Sequence, residues 1–345
     1  MSIKGRGIFI FVTMFSKKFL LLLTLLIISC VVLFLVNLLT GFENISLSDF
    51  FYPEDETKRL ISSYRLYKTL AVVFAGISLP VSGFLLQELF KNPLAEPSIL
   101  GISSASALAV AFVVFLGIPQ FFDNFKWLSG WVLIFSSFTG AFIVSLLLLS
   151  ISKGIKEVST FIIVGFLLSS FCGSIISVLQ FYSQSEILKQ YVFWSFGSFD
   201  GLSEVQVTVY FICVIAGLFT AFLSVKKLIG FLLGEEYAKV LGVNITTLKV
   251  LVILSTCLLT GSTTAMVGPI VFIGIIIPHF CRQIWNPASL WSQTLLNIFA
   301  GIGFMLIVSL IMVYTQLPVN ILSSIIGIPT ILFMILKNKL KSPSY

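Results

Sequence analysis

Charge is scarce in this chain. Asp, Glu, Lys and Arg make up 10% of its 345 residues, against roughly 25% in a soluble domain, while 58% are hydrophobic. No charged residue falls near the middle of a long apolar run, which leaves out the buried ionisable groups that ion- and proton-coupled carriers place at membrane depth. Histidine occurs once, at His279, so no HExxH or other histidine-based zinc pattern can form. A plain hydrogen-bonding role near the inner end of a span is expected for it. Cys30, Cys172, Cys213, Cys257 and Cys281 are scattered without CxxC spacing, which favours buried free thiols over disulfides or a metal site. The phosphate-cradling GxxxxGK[ST] loop is missing, so any ATP that drives this chain must be hydrolysed on a separate subunit at the inner face. The GxSxG nucleophile elbow is missing too, and Ser/His/Asp catalysis has no support.

What is present is a series of apolar runs of membrane-crossing length, about 17–25 residues each. They fall near 19–40, 69–87, 98–117, 130–150, 158–180, 205–225, 250–268, 270–285, 292–314 and 321–336, and predict an all-α integral membrane protein of about ten spans. The eighth run is short and follows Gly268-Pro269, the pattern of a broken or re-entrant helix, so nine or eleven spans remain open. With the N-terminus inside, only Lys58, Arg59, Arg65, Lys68, Lys126 and Lys189 of the 21 basic residues fall outside. An even span number returns the C-terminus to the cytoplasm. The net charge of +7 is thereby read as membrane orientation and not as affinity for nucleic acid. The run after Lys17-Lys18 has no small-residue cleavage site, so it reads as an uncleaved first helix behind a cytoplasmic segment 1–18, with Met14 as an alternative start.

One membrane domain, 1–345, is expected, because the polar stretches 41–68, 181–204 and 226–249 are each too short for a core of their own. The stretch 226–249 is the largest cytoplasmic connection. Gly234 and Gly242 bracket a turn or two of helix within it, and Glu235 precedes Lys239 by four residues, the favourable order for a helix-surface pair. Small residues cluster in the fifth run (Gly165, Ser169, Ser170, Gly173, Ser174, Ser177) and at the start of the third (Gly101, Ser103, Ser104, Ala105, Ser106, Ala107). They serve either close helix packing or a mildly polar pathway wall. Arg65 and Lys68, three apart at the outer mouth of the second run, share a helical face; taken alone they suit interfacial anchors.

Four segments in order carry a family resemblance: RLYKTLAVVFAGISLPVSGFLLQELFKNPLAEPSILGISSASAL at 65–108, GEEYAKVLGVN at 234–244, GPIVFIGIIIPHFCR at 268–282 and LPVNILSSIIGIPTILFMI at 317–335. The chain resembles the FecCD family, permeases of ABC importers for iron chelates, haem and cobalamin, from about Ser46 to Lys337. The resemblance implies a type II importer permease of ten helices. It would pair with a second permease, identical or different, above two ATP-binding subunits that hold ATP and magnesium and below an extracytoplasmic substrate-binding protein. Gly234, Glu235, Glu236, Ala238, Lys239, Leu241 and Gly242 would form the helix that couples to the ATPase. Arg65 and Lys68 fall where the family has Arg-Leu-Pro-Arg, which turns their reading from anchors to docking points for acidic residues of the binding protein. Asn92, Pro93, Pro97, Gly268, Pro269, Pro278, His279 and Arg282 belong to shared motifs with structural roles.

The chain departs from the family pattern at Tyr67, which replaces a proline, and at Lys68, which keeps charge but loses the bidentate guanidinium. Asn320 replaces a glycine, and 308–316 lacks an arginine often found there. The implied function is a permease in the bacterial inner membrane that moves a ferric siderophore by alternating access, without bond chemistry or a cofactor of its own. Haem or cobalamin is the alternative cargo, and an ion-coupled secondary carrier the rival mechanism.

Overall fold

The computed structural model describes residues 16–41, 43, 45–117, 126–152, 158–285 and 289–341. The expected cytoplasmic segment 1–18 lies outside these up to residue 15, as do Lys153 and Lys156, which entered the charge topology. Regular structure among the described residues is helical: α1 (Lys17–Leu39), α2 (Glu56–Phe90), α3 (Ile102–Phe115), α4 (Lys126–Ser152), α5 (Val158–Phe181), α6 (Ser185–Ser195), α7 (Glu204–Leu232), α8 (Glu235–Val240), α9 (Ile245–Val267), α10 (Ile273–Ile284), α11 (Leu290–Thr315) and α12 (Val319–Lys341). Seven of them, α1, α2, α4, α5, α7, α9 and α11, are long and apolar enough to cross a membrane, and α3, α10 and α12 hold shorter apolar stretches. Each of the ten expected runs falls on one of these ten helices.

Helix α2 is the axis of the fold. Asp55 opens it by accepting the backbone N–H of Lys58 at 2.7 Å, and Glu56 places negative charge on its first turn. Its 35 residues rise about 52 Å, well beyond a hydrocarbon core of roughly 30 Å, so its polar first turns stand above the apolar layer. It packs against α11, α7, α10, α9 and α1. Glycine makes the closest of these contacts possible. A Cβ on Gly83 would overlap the Gly274 backbone of α10, and one on Gly76 would come within 2.8 Å of the Gly301 carbonyl of α11. Between helices in lipid, where burial against a neighbour removes no water, such backbone approach is a main source of association.

Helix α9 contains one turn of π-helix, Cys257–Gly261, within which Thr260 donates to Ser82 of α2 at 2.9 Å. It stops at Gly268, where a φ of +92° and the Trp194 carbonyl, 2.8 Å from where a Cβ would stand, admit only glycine. The chain then turns through Pro269 into the 12-residue α10, the short helix that Gly268-Pro269 predicts.

The loop between α2 and α3 is bound as closely. Lys91 closes α2 in the left-handed region, Asn92 accepts the Leu94 N–H at 2.9 Å, and Pro97 is buried. Glu96 is buried as well; its carboxylate accepts from the Ser98 hydroxyl and the Phe272 backbone at the head of α10. These bonds delay α3 to Ile102 instead of residue 98. Another difference concerns 226–249: α7 continues through Lys226 and Lys227 to Leu232 and α9 begins at Ile245, which shortens the connection to 233–244. Nothing in KKLIGFL breaks a helix, so α7 runs on past the apolar layer.

Candidate functional site

The end of α1, the first turns of α2, the α6–α7 loop and the end of α11 line a cavity of about 640 Å³. Arg65 and Lys68 both line it, but in different states. Arg65 is 6% exposed, and its guanidinium donates to the carbonyls of Leu38 (3.3 Å), Leu39 (3.0 Å) and Glu43 (2.5 Å). It caps the C-terminal end of α1, whose last carbonyls have no partner within the helix. The guanidinium expected to serve docking is thus engaged with carbonyls of its own chain. Lys68 reaches further out, and its ammonium lies 2.8 Å from Oδ1 of Asp200 in the α6–α7 loop. The same carboxylate accepts from the Tyr64 hydroxyl at 2.7 Å and, through Oδ2, from Ser198 at 3.2 Å. Burial alone would raise the Asp200 carboxyl, but the Lys68 charge and these hydrogen bonds hold it below the usual carboxylate range.

Composition hides Asp200; only the α6–α7 turn that brings it beside Lys68 reveals the pairing. Helix α6 itself sits in the polar stretch 181–204, where Ile187, Tyr191 and Trp194 at spacings of four and three are the signal that finds it.

Between α7 and α9, α8 is the short helix expected between Gly234 and Gly242, both in the positive-φ region at +115° and +77°. Lys239 bridges Glu236 at 2.8 Å and Glu235 at 3.6 Å, so the closer pair is three apart and not four. Ala238 is fully buried against its own chain. Tyr237, Val240 and Leu241 instead present an exposed apolar surface; the first two were not singled out by the sequence. Next to the α2–α10 contact, Arg282 donates to Gln87 at 2.8 Å and pairs with Glu88 at 2.9 Å. His279 shares a 2.8 Å hydrogen bond with Gln283, and the Pro278 carbonyl accepts from Gln293 at 3.1 Å.

The small-residue clusters divide. Gly101, Gly165 and Ser169 meet one another: Ser169 donates to the Ser98 carbonyl at 3.1 Å, and a Cβ on Gly165 would stand 2.9 Å from Leu100 Cα. Here they serve helix packing. Ser106 is buried as well and Ser104 half-buried. Gly173 differs, since a Cβ there meets nothing within 4 Å, and Ser170, Ser174 and Ser177 on the same helix are exposed. Among the described residues no cluster of three His, Cys, Asp or Glu is arranged to hold a metal ion, and the five cysteines are unpaired.

Comparison with known proteins places the chain among transport permeases. The model of the FecCD transport family matches residues 25–337. The vitamin B12 import system permease protein BtuC of Citrobacter koseri is 30% identical over 307 residues, 88% of this chain and 90% of the relative. That of Salmonella typhi is 28% identical over 330 residues, 94% and 96% of the two chains. Among solved structures, an inward-facing metal-chelate type ABC transporter superposes with a TM-score of 0.78 at 28% identity, covering 92% of this chain and 99% of that one. PsaBC from Streptococcus pneumoniae in complex with Fab, at 16% identity, TM-score 0.51 and coverage of 78% and 90%, shares the fold alone.

Proposed function

Since the chain belongs to the FecCD transport family, a transport permease subunit and not an enzyme, we propose that it carries a cobalamin-class metal chelate into the cytoplasm, driven by ATP hydrolysed on partner subunits. The observation that carries the cargo is the near full-length similarity to vitamin B12 permeases. It displaces the ferric siderophore expected from sequence, for which no feature of the chain speaks specifically. A bulky chelate suits a permease whose spanning helices bury hydroxyls and amides and few charges, because such walls hold cargo loosely and leave affinity to the binding protein.

The subunit works in this reading as one of two permeases in the inner membrane, with ten spans and both termini cytoplasmic. Helix α8 seats its Tyr237, Val240 and Leu241 face in the ATPase, and Lys68 at the outer mouth meets an acidic residue of the binding protein. The open flank of α5 around Gly173 faces the second permease and the pathway; Gly101, Gly165 and Ser169, being packed together, do not line it.

Uptake by the complex reconstituted with ATPase and binding protein tests the cargo. Labelled cobalamin should accumulate and unlabelled cobalamin should compete, while a ferric siderophore or haem should not. Competition by the siderophore with cobalamin inert would reverse the assignment. Gly242→Pro tests the coupling role, because proline cannot adopt the φ of +77° found there. The variant should insert normally and lose co-purification with the ATPase; unchanged co-purification would count against α8.

A further inference from the structure

The α6–α7 loop is tied to three other helices at once, α2, α9 and α12. The Ser198 N–H donates to the Val267 carbonyl at the end of α9 at 2.8 Å, and the Phe196 carbonyl accepts the Asn320 N–H of α12 at 3.1 Å. The Asn320 amide reaches the Ser195 carbonyl at 3.3 Å, and Gly197 lies directly against Gly268. On its outer side, Asp200 fastens the loop to α2 through Lys68 and Tyr64. Tyr67 adds a hydrogen bond to Glu204 at 3.2 Å. The Lys68–Asp200 pair is thus the charged clasp of a loop that also grips the outer ends of α9 and α12.

The two members of the clasp are unequal. The Lys68 side chain is 19% exposed and Asp200 45%, so the carboxylate is the more accessible member of the pair and the one an incoming carboxylate would have to displace. Among the described residues Lys68 has no other ion-pair partner. Arg65, the other cation of the cavity, is committed to the carbonyls of α1 and Glu43.

We propose that Asp200 is an internal competitor for the docking site: it occupies Lys68 in the free permease, and an acidic residue of the docked binding protein takes its place. The proposal rests on the importer reading above and adds to it a regulatory contact. Exchange of carboxylates leaves the charge on Lys68 satisfied throughout, so docking costs no unpaired ammonium. Its product is a loop that has lost its ion pair to α2 while still bound to α9 and α12. Docking outside thereby loosens the outer ends of two helices whose sequence neighbours include α8 and α10.

The test measures association of the binding protein with the full transporter in nanodiscs. Asp200→Asn keeps an acceptor for Tyr64 but removes the competing charge, and should tighten association about three- to fivefold, the scale of one partly exposed ion pair. Asp200→Ala, which removes both, should tighten it by a similar factor, so the result does not depend on how asparagine packs. Lys68→Met should weaken association, and in that background Asp200→Asn should have no further effect, a non-additivity that independent sites would not show. Unchanged or weaker association in Asp200→Asn, or additive effects of the two substitutions, would overturn the proposal. The wild-type complex separates this from failure of the importer reading: if its ATPase does not respond to the binding protein, the importer reading fails, whereas a responsive wild type with an inert Asp200→Asn sinks the competitor alone.

Discussion

Helices α2 and α5 look alike as sequence and differ as structure. Both are apolar runs of membrane length punctuated by glycine and serine, yet 83% of the α2 window is buried within the chain and only 11% of the α5 window. In α2, Gly76 and Gly83 admit the backbones of α11 and α10; in α5, Gly173 opens onto nothing. Hydropathy identifies what lies in the bilayer. Which flank meets protein and which meets lipid or a second subunit depends on neighbours that only the fold supplies.

The comparison breaks most sharply at glycine. Gly83→Val would drive a side chain into the Gly274 backbone and should cost more than about 3 kcal/mol, seen as loss of a monodisperse peak in detergent. Gly173→Val should leave the peak and the melting temperature as they are while lowering transport. Equal damage from the two would erase the distinction between core helix and exposed flank.

Arg65→Ala comes next. It strands the carbonyls of Leu38, Leu39 and Glu43 and should cost about 2–4 kcal/mol of stability, read as a lowered melting temperature of the isolated permease. A residue reserved for docking would leave that temperature unchanged.

Acid titration gives a smaller effect. The Asp200 carboxyl ionises more readily in the fold than in the unfolded chain, so its contribution is present above the unfolded value and lost as pH falls through the depressed folded one. Wild type should melt above Asp200→Asn at pH 6, and the gap should narrow as pH falls below the ordinary carboxylate range. A gap that persists there would assign Asp200 a role other than its charge. Smallest is Lys239→Ala in α8, where the pairs with Glu235 and Glu236 are solvent-exposed and melting should not change measurably.

Much of the fold was legible because a bilayer asks for little: an apolar run of sufficient length must satisfy its backbone internally, and helix is the answer. Punctuation was legible for the same local reason, as Gly268 and Gly242 mark turns that only glycine takes without strain. The extension of α2 back to Glu56 escaped notice, since hydropathy is blind to the polar turns that Asp55 caps. The candidate site was less legible. Spacing puts Arg65 and Lys68 on one face, but that one caps a helix more than twenty residues earlier and the other meets Asp200 depends on long-range contacts. Ala238 shows the same limit in miniature: a helix turn predicted from its glycines does not disclose which side of it is buried.

The central claim, that a separate ATPase powers this permease, is tested most directly by cobalamin uptake into proteoliposomes whose ATPase carries an inactivated nucleotide site. The account predicts that accumulation falls to the level without ATP while the complex stays assembled. Accumulation that continues at the wild-type rate would contradict it and point to a secondary carrier.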